Sequence, residues 1–187
     1  MKSSSLSIPL FERAFYFLRH GETESNRLKT IAGSLDVELN DLGREQARAA
    51  VGLVRPLGIT HVTSSNLRRA RDTAAIVAAA LRLPHAILPE LGERNWGEFE
   101  GKPQTLRVPG AKPAGAETTE QFISRTHAAM ARVEAHGIPL IVAHSGTFRV
   151  LCHLFRLEDP VEPIANCSPV RFTPPAQPGK EWAIEII

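Results

Sequence analysis

Two histidines of the chain each follow a short, strongly apolar run. His20 comes after Ala14-Phe15-Tyr16-Phe17-Leu18 and Arg19, and His144 comes directly after Ile138 to Ala143. Such runs read as strands buried on both faces. In open α/β sheets, ligands bind beyond the carboxyl ends of the strands. If these strands are neighbours, both imidazoles face one crevice. A third run, His61-Val62-Thr63, would deliver Ser64, Ser65, Arg68 and Arg69 to the same edge. Imidazoles beside guanidiniums suit a phosphate group, because a planar guanidinium meets its oxygens two at a time. Helix N-termini after Gly21 and Ser145 would add amide donors.

The elements that must hold these residues alternate between strand and helix. Leu42 to Leu57 reads as a helix with Asn40 or Asp41 as its cap and Pro56 near its end. Ser64-Ser65-Asn66 caps the next helix, Arg68 to Leu83, which stops at Pro84. Ala70, Ala74, Val77 and Leu81 share one face of it, small enough for close packing on a sheet. His85 to Leu88 is a short strand, and Thr118 to Ala135 a helix opened by a Thr118…Gln121 capping box and stopped at Gly137. Thr147 to Phe155 is a further helix. Val170 to Thr173 and Trp182 to Ile187 are closing strands, with Pro174-Pro175 and Pro178-Gly179 as turn material between them. The pattern predicts one α/β domain over residues 1–187, a three-layer α/β/α sandwich around a mainly parallel sheet.

Composition narrows the class. Lys and Arg total 22 against 20 Asp and Glu, too mild a surplus to argue for nucleic acid. Hydrophobic residues make up 43%, enough for a core and too many for disorder. No apolar run approaches the ~18 residues of a membrane span. Met1 to Phe11 lacks the apolar stretch of a signal peptide, and Cys152 and Cys167 form no CxxC pair. A reducing cytoplasm is the expected location. Oligomeric state is not legible.

Arg19-His20-Gly21-Glu22-Thr23, with Asn26 close behind, resembles the signature of the histidine phosphatase superfamily in its phosphoglycerate-mutase-like branch. Later segments match in order: Gly33…Asp36…Leu39…Leu42-Gly43…Gln46-Ala47, then Ser65-Asn66-Leu67-Arg68-Arg69-Ala70…Thr73-Ala74. Leu91-Gly92-Glu93…Trp96-Gly97…Phe99-Glu100-Gly101 and Val142-Ala143-His144-Ser145-Gly146 complete the set, which covers about residues 14 to 150. One such motif is a weak signal, whereas four in order at strand ends are a strong one. The resemblance implies that His20 takes the phosphoryl group and that Glu93 protonates the leaving group. It implies that Arg19, Arg69 and His144 bind phosphoryl oxygens, with Asn26, Thr23 and Ser145 in or beside the pocket. It implies a small phosphomonoester as substrate and neither metal nor other cofactor, because arginines carry the positive charge.

Competing readings exist for several of these residues. Glu90, Glu98 and Glu100 rival Glu93, which its motif position selects. Glu22, Thr23 and Glu100 also read as loop braces. His-Ser-Gly departs from the family's commoner His-Gly-Gly, so Ser145 narrows the pocket or adds a hydroxyl contact. His61, His85, His127, His136 and His153 read as structural or surface residues. The serine elbow Gly-x-Ser-x-Gly is absent. Between acid motif and Gly115-Ala116-Glu117 lies only Lys102 to Ala114, little chain for a lid over the site. That favours hydrolysis over a cofactor-dependent mutase; a non-catalytic phospholigand binder is the third reading. Lys102, Arg107 and Lys112 are placed to meet an acidic substrate.

Overall fold

The computed structural model describes residues 9–158, 164–177 and 181–187. The expected turn at Pro178-Gly179 and the reading of the first eight residues lie outside them. A six-stranded sheet has the order β3-β2-β4-β1-β5-β6. Its strands are β1 (Phe15–Arg19), β2 (His61–Ser64), β3 (His85–Ile87), β4 (Pro139–Ala143), β5 (Pro169–Thr173) and β6 (Ala183–Ile186). The first four in space run parallel, while β5 is antiparallel to β1 and β6 to β5.

Alternation along the central strands divides the core between two faces. Phe15, Phe17, Ile141 and Phe172 pack on one side with α4 (Thr119–Met130) and α5 (Ser145–Leu154). Tyr16, Leu18, Leu140 and Val142 pack on the other with α2 (Asp41–Val54) and α3 (Arg68–Leu81). The result is the expected three-layer sandwich. A single turn of helix, α1 (Glu24–Arg27), follows β1.

Register is what positions the chemistry. β1 and β4 pair with Arg19 level with Ala143, so His20 and His144 leave the sheet side by side. On the other edge of β4, Ser64 is level with Val142, which brings Ser65 up beside His144.

Four expectations need correction. The cap of α3 is Leu67, which offers no side chain; instead Asp36 from a distant loop accepts the Arg68 N–H at 2.6 Å. That helix also ends at Leu81, because Arg82 turns left-handed (φ 56°). The α4 helix keeps its Thr118–Gln121 capping box but stops at Met130, where the N–H groups of Arg132 and Val133 tighten onto carbonyls three residues back. Finally, α5 begins at Ser145, with His144 as its cap.

The loop after β1 is clamped to the start of α2. Glu22 accepts a hydrogen bond from the Asn40 side-chain amide at 2.8 Å and its N–H donates to Gln46 Oε1 at 2.8 Å. The backbones touch so closely that a Cβ on Gly43 would lie 2.1 Å from the Glu22 carbonyl oxygen. Gly52, further along the same helix and exposed, has open space around it. Gly43→Ala is therefore expected to destabilise by about 1–3 kcal/mol, and Gly52→Ala to stabilise by about 0.5–1 kcal/mol. Urea unfolding of both variants checks the opposite signs.

Candidate active site

A cavity of about 70 Å³ opens beyond the carboxyl ends of β1 and β4, walled by Arg19, His20, Asn26, Arg69, Glu93 and Ser145. It holds several water-sized atoms, about what a phosphoryl group needs.

His20 is 4% exposed. Its Nδ1 lies 2.7 Å from the Gly21 carbonyl oxygen, which can only accept, so Nδ1 carries the proton. Nε2 then holds the lone pair in the neutral ring. Burial, then the charges of Arg69 and Arg19, hold the His20 pKa well below 6.5. At neutral pH the ring is uncharged, with its lone pair on Nε2.

The arginines are fixed by carbonyls. Arg69, 1% exposed, donates from its two terminal nitrogens to the Leu35 and Gly33 oxygens at 2.8 and 2.7 Å. Arg19 donates to the Ile164 oxygen at 2.7 Å, and its buried Nε has no hydrogen-bond partner among the described residues. Among the described residues neither guanidinium pairs with a carboxylate within 4.0 Å. Burial pushes the Arg69 pKa down to about 10, with Glu93 pulling the other way, so it remains charged at neutral pH.

His144 is fully buried, its ring 5.2 Å from that of His20. Its Nε2 lies 2.9 Å from Ser65 Oγ, which also accepts the Leu67 N–H at 3.1 Å. Where that hydroxyl donates its proton to Nε2, the proton of neutral His144 lies on Nδ1. Nδ1 is buried and has no hydrogen-bond partner among the described residues, and His144 itself lies behind the cavity wall rather than in it.

Glu93 sits at the N-terminus of α5. Its Oε2 accepts the Gly146 N–H at 2.9 Å and its Oε1 the Arg94 N–H at 2.8 Å. A Cβ on Gly146 would stand 2.1 Å from Oε1, so the carboxylate occupies the space that glycine leaves. Arg125, from α4, holds the Glu93 segment by donating to the carbonyls of Glu90 and Gly92 at 2.7 and 3.0 Å, while Glu117 anchors its other nitrogens.

The rival acids are engaged elsewhere: Glu90 pairs with Arg132, Glu98 accepts the Ala114 N–H, and Glu100 accepts from Ser34 and the Trp96 N–H. Asn26 lines the cavity with its Oδ1 already accepting the Thr23 N–H, so its amide nitrogen is the end available to an anion. Thr23 is not part of the wall; its buried hydroxyl completes the capping box of α1. Arg68 lies outside against Glu38, and Ser64 turns to His85 Nε2 at 2.8 Å. His153 lines a larger neighbouring cavity.

Sequence reading missed Gly146, Arg125, Gln104 and the reach of Arg107 into the cavity wall. The glycine left a trace in the His-Ser-Gly motif, and Arg107 stood among the cations placed to meet an acidic substrate; Arg125 and Gln104 left none. Among the described residues no cluster of His, Cys, Asp or Glu is arranged to hold a metal, and no helix is long and apolar enough to cross a membrane.

Comparison with known proteins agrees with this geometry. The profile of the histidine phosphatase superfamily (branch 1) matches residues 15–174, and the chain belongs to that superfamily. It is 34% identical over 190 residues to phosphoglycerate mutase-like protein 4 of Arabidopsis thaliana, covering 90% of this chain and 82% of that one. It is 34% identical over 146 residues to the probable phosphoglycerate mutase GpmB of Yersinia pestis, covering 69% of this chain and 68% of that one. The fold resembles the mycobacterial glucosyl-3-phosphoglycerate phosphatase solved with VO3, at TM-score 0.79 and 26% identity over 93% of this chain and 98% of that one. It also resembles an Escherichia coli structure described as a putative alpha-ribazole-5'-P phosphatase, at TM-score 0.78 and 22% identity over 94% and 95% of the two chains.

The pocket should bind inorganic phosphate. Calorimetric titration of wild type and Arg69→Gln at neutral pH is expected to show affinity weakened by roughly 10–100-fold in the variant, the worth of a charge-assisted bidentate contact.

Proposed function

We propose that this protein hydrolyses small phosphomonoesters through a phosphohistidine on His20, with Glu93 as general acid and then general base. The observation that carries the reading is the neutral His20 imidazole in a cavity walled by Glu93 and by two guanidiniums, neither in a salt bridge among the described residues. Nε2 attacks phosphorus as the bond to the ester oxygen breaks, and Glu93 gives that oxygen its proton. The ring now carries the phosphoryl group, and its new positive charge is eased by the Nδ1–H bond to the Gly21 carbonyl. Arg19, Arg69 and Asn26 hold the equatorial oxygens, where charge spreads in the transition state. Water then attacks phosphorus, Glu93 takes its proton, and inorganic phosphate leaves as Nε2 regains its lone pair.

Hydrolysis is favoured over phosphoryl transfer between hydroxyls by the short Lys102–Ala114 segment. Its only regular structure is one helical turn, Gln104–Leu106, and Val108 is 58% exposed. Little chain covers the site against water.

Phosphate release from a broad phosphomonoester panel in the presence of chelator tests the reading. Wild type should turn over and His20→Ala should not. Transfer of the group to a second hydroxyl without phosphate release would favour a mutase, and binding without turnover would favour a silent binder. Gly146→Ala should retain the fold, since alanine suits a helix, yet lower kcat by about 10²–10⁴-fold as its Cβ displaces the acid.

The pH profile follows from His20. Protonation silences the nucleophile, and a lowered pKa keeps it neutral until pH falls through that lowered value. After correction for substrate ionisation, kcat/KM should stay level as pH drops past 6.5 and decline only in more acidic solution. Arg69→Gln removes a charge that depresses the His20 pKa, so the acid limb should move to higher pH.

A further inference from the structure

The carbonyl that takes the His20 ring proton belongs to Gly21, and a glycine backbone turns more freely than any other. A carbonyl free to swing would not keep that proton on one nitrogen. Two successive peptide planes are instead held at both ends. A trans peptide is flat, so one bond to its oxygen and another to its N–H fix its rotation. In the His20–Gly21 plane, the His20 oxygen accepts from Asn166 Nδ2 at 2.6 Å and the Gly21 N–H donates to Thr73 Oγ1 at 3.0 Å. In the next plane, the Gly21 oxygen lies 2.7 Å from His20 Nδ1 and the Glu22 N–H donates to Gln46 Oε1 at 2.8 Å.

Thr73 and Asn166 also tie this turn to the arginines. Thr73 is fully buried on α3. Its oxygen accepts from Gly21, so its one proton goes to the Arg69 carbonyl, 2.7 Å away and one helical turn back. Asn166 belongs to a segment in which the Ile164 oxygen accepts from Arg19 Nη1 at 2.7 Å and the Cys167 N–H donates to the Arg19 oxygen at 2.9 Å. Neither Thr73 nor Asn166 lines the phosphoryl cavity. We propose that both are positioning residues, which hold the His20–Gly21 peptide so that the Gly21 carbonyl keeps the ring proton on Nδ1 and leaves Nε2 bare towards the cavity. They act through His20, and the inference rests on the reading of His20 as the nucleophile.

Nitrogen NMR of the His20 ring at neutral pH, together with steady-state kinetics, tests it in Thr73→Val, Thr73→Ser and Asn166→Ala. Wild type should show a protonated Nδ1 and a bare Nε2. Thr73→Val keeps the shape of the side chain and loses the acceptor. In it and in Asn166→Ala, both ring nitrogens should shift towards the averaged values of a proton shared between them. Both variants should lose kcat by about 10–100-fold, with KM changed by less than about threefold. Thr73→Ser restores the hydroxyl and should bring kcat back to within about threefold of wild type. Asn166→Ala and Thr73→Ser carry the test where valine at position 73 prevents folding. Unchanged nitrogen shifts in the folded variants overturn the proposal even where kcat falls, because a merely structural loss can also slow turnover. Wild-type kcat in both Thr73→Val and Asn166→Ala overturns it too. The NMR measurement needs no substrate: without turnover by wild type the hydrolytic reading falls, and the nitrogen shifts of the variants decide this one. A wild-type ring protonated on Nε2 overturns both together.

Discussion

Arg19 and Arg69 bring two positive charges into the interior on carbonyl oxygens, with no carboxylate within 4.0 Å among the described residues and Glu93 acting on both only from across the cavity. A buried charge without a counter-charge is costly. Carbonyl dipoles from Gly33, Leu35 and Ile164 offset part of that cost and leave the net charge in place. In the proposed function an arriving phosphoryl dianion would supply the rest. The same charges act on His20. They and its burial keep the imidazole neutral, the state that the proposed attack on phosphorus requires. One electrostatic arrangement therefore serves binding and nucleophilicity together.

The remaining architecture supports this pair. Parallel register between β1 and β4 sets His20 beside His144, and the neighbouring register of β2 brings the Ser65 hydroxyl against His144 Nε2. The Glu93 carboxyl group is held between two backbone N–H groups at the start of α5, in space available only because residue 146 is glycine. Arg125 clamps the segment that carries it. Ser145, the departure from the commoner family motif, does not displace the machinery; it becomes part of the wall shared by the two cavities.

Much of this was legible in the sequence wherever the signal is local. The apolar runs before His20 and His144 mark buried strands whatever surrounds them, and the Thr118–Gln121 box opens its helix as written. Motif order then placed Arg19, Asn26, Arg69 and Glu93 around one cavity. What the sequence hid depends on distant chain. Asp36 caps α3 from a separate loop, so no pattern near residue 68 announces it. Arg125 looks like any solvated helix residue until α4 packs beside the turn at Glu90. Thr23 lies within the signature yet spends its hydroxyl on a helix cap, because one turn of helix follows immediately and its amides need an acceptor.

The account turns on covalent transfer to His20. Rapid mixing with a turned-over phosphomonoester, quenching in alkali and peptide mass spectrometry would look for that species directly. The account predicts an acid-labile phosphoryl group on the peptide containing His20, absent from His20→Ala and from the peptide containing His144. Turnover with no phosphohistidine in wild type, even when Glu93→Gln is used to slow its hydrolysis, or with the label on His144, would contradict it.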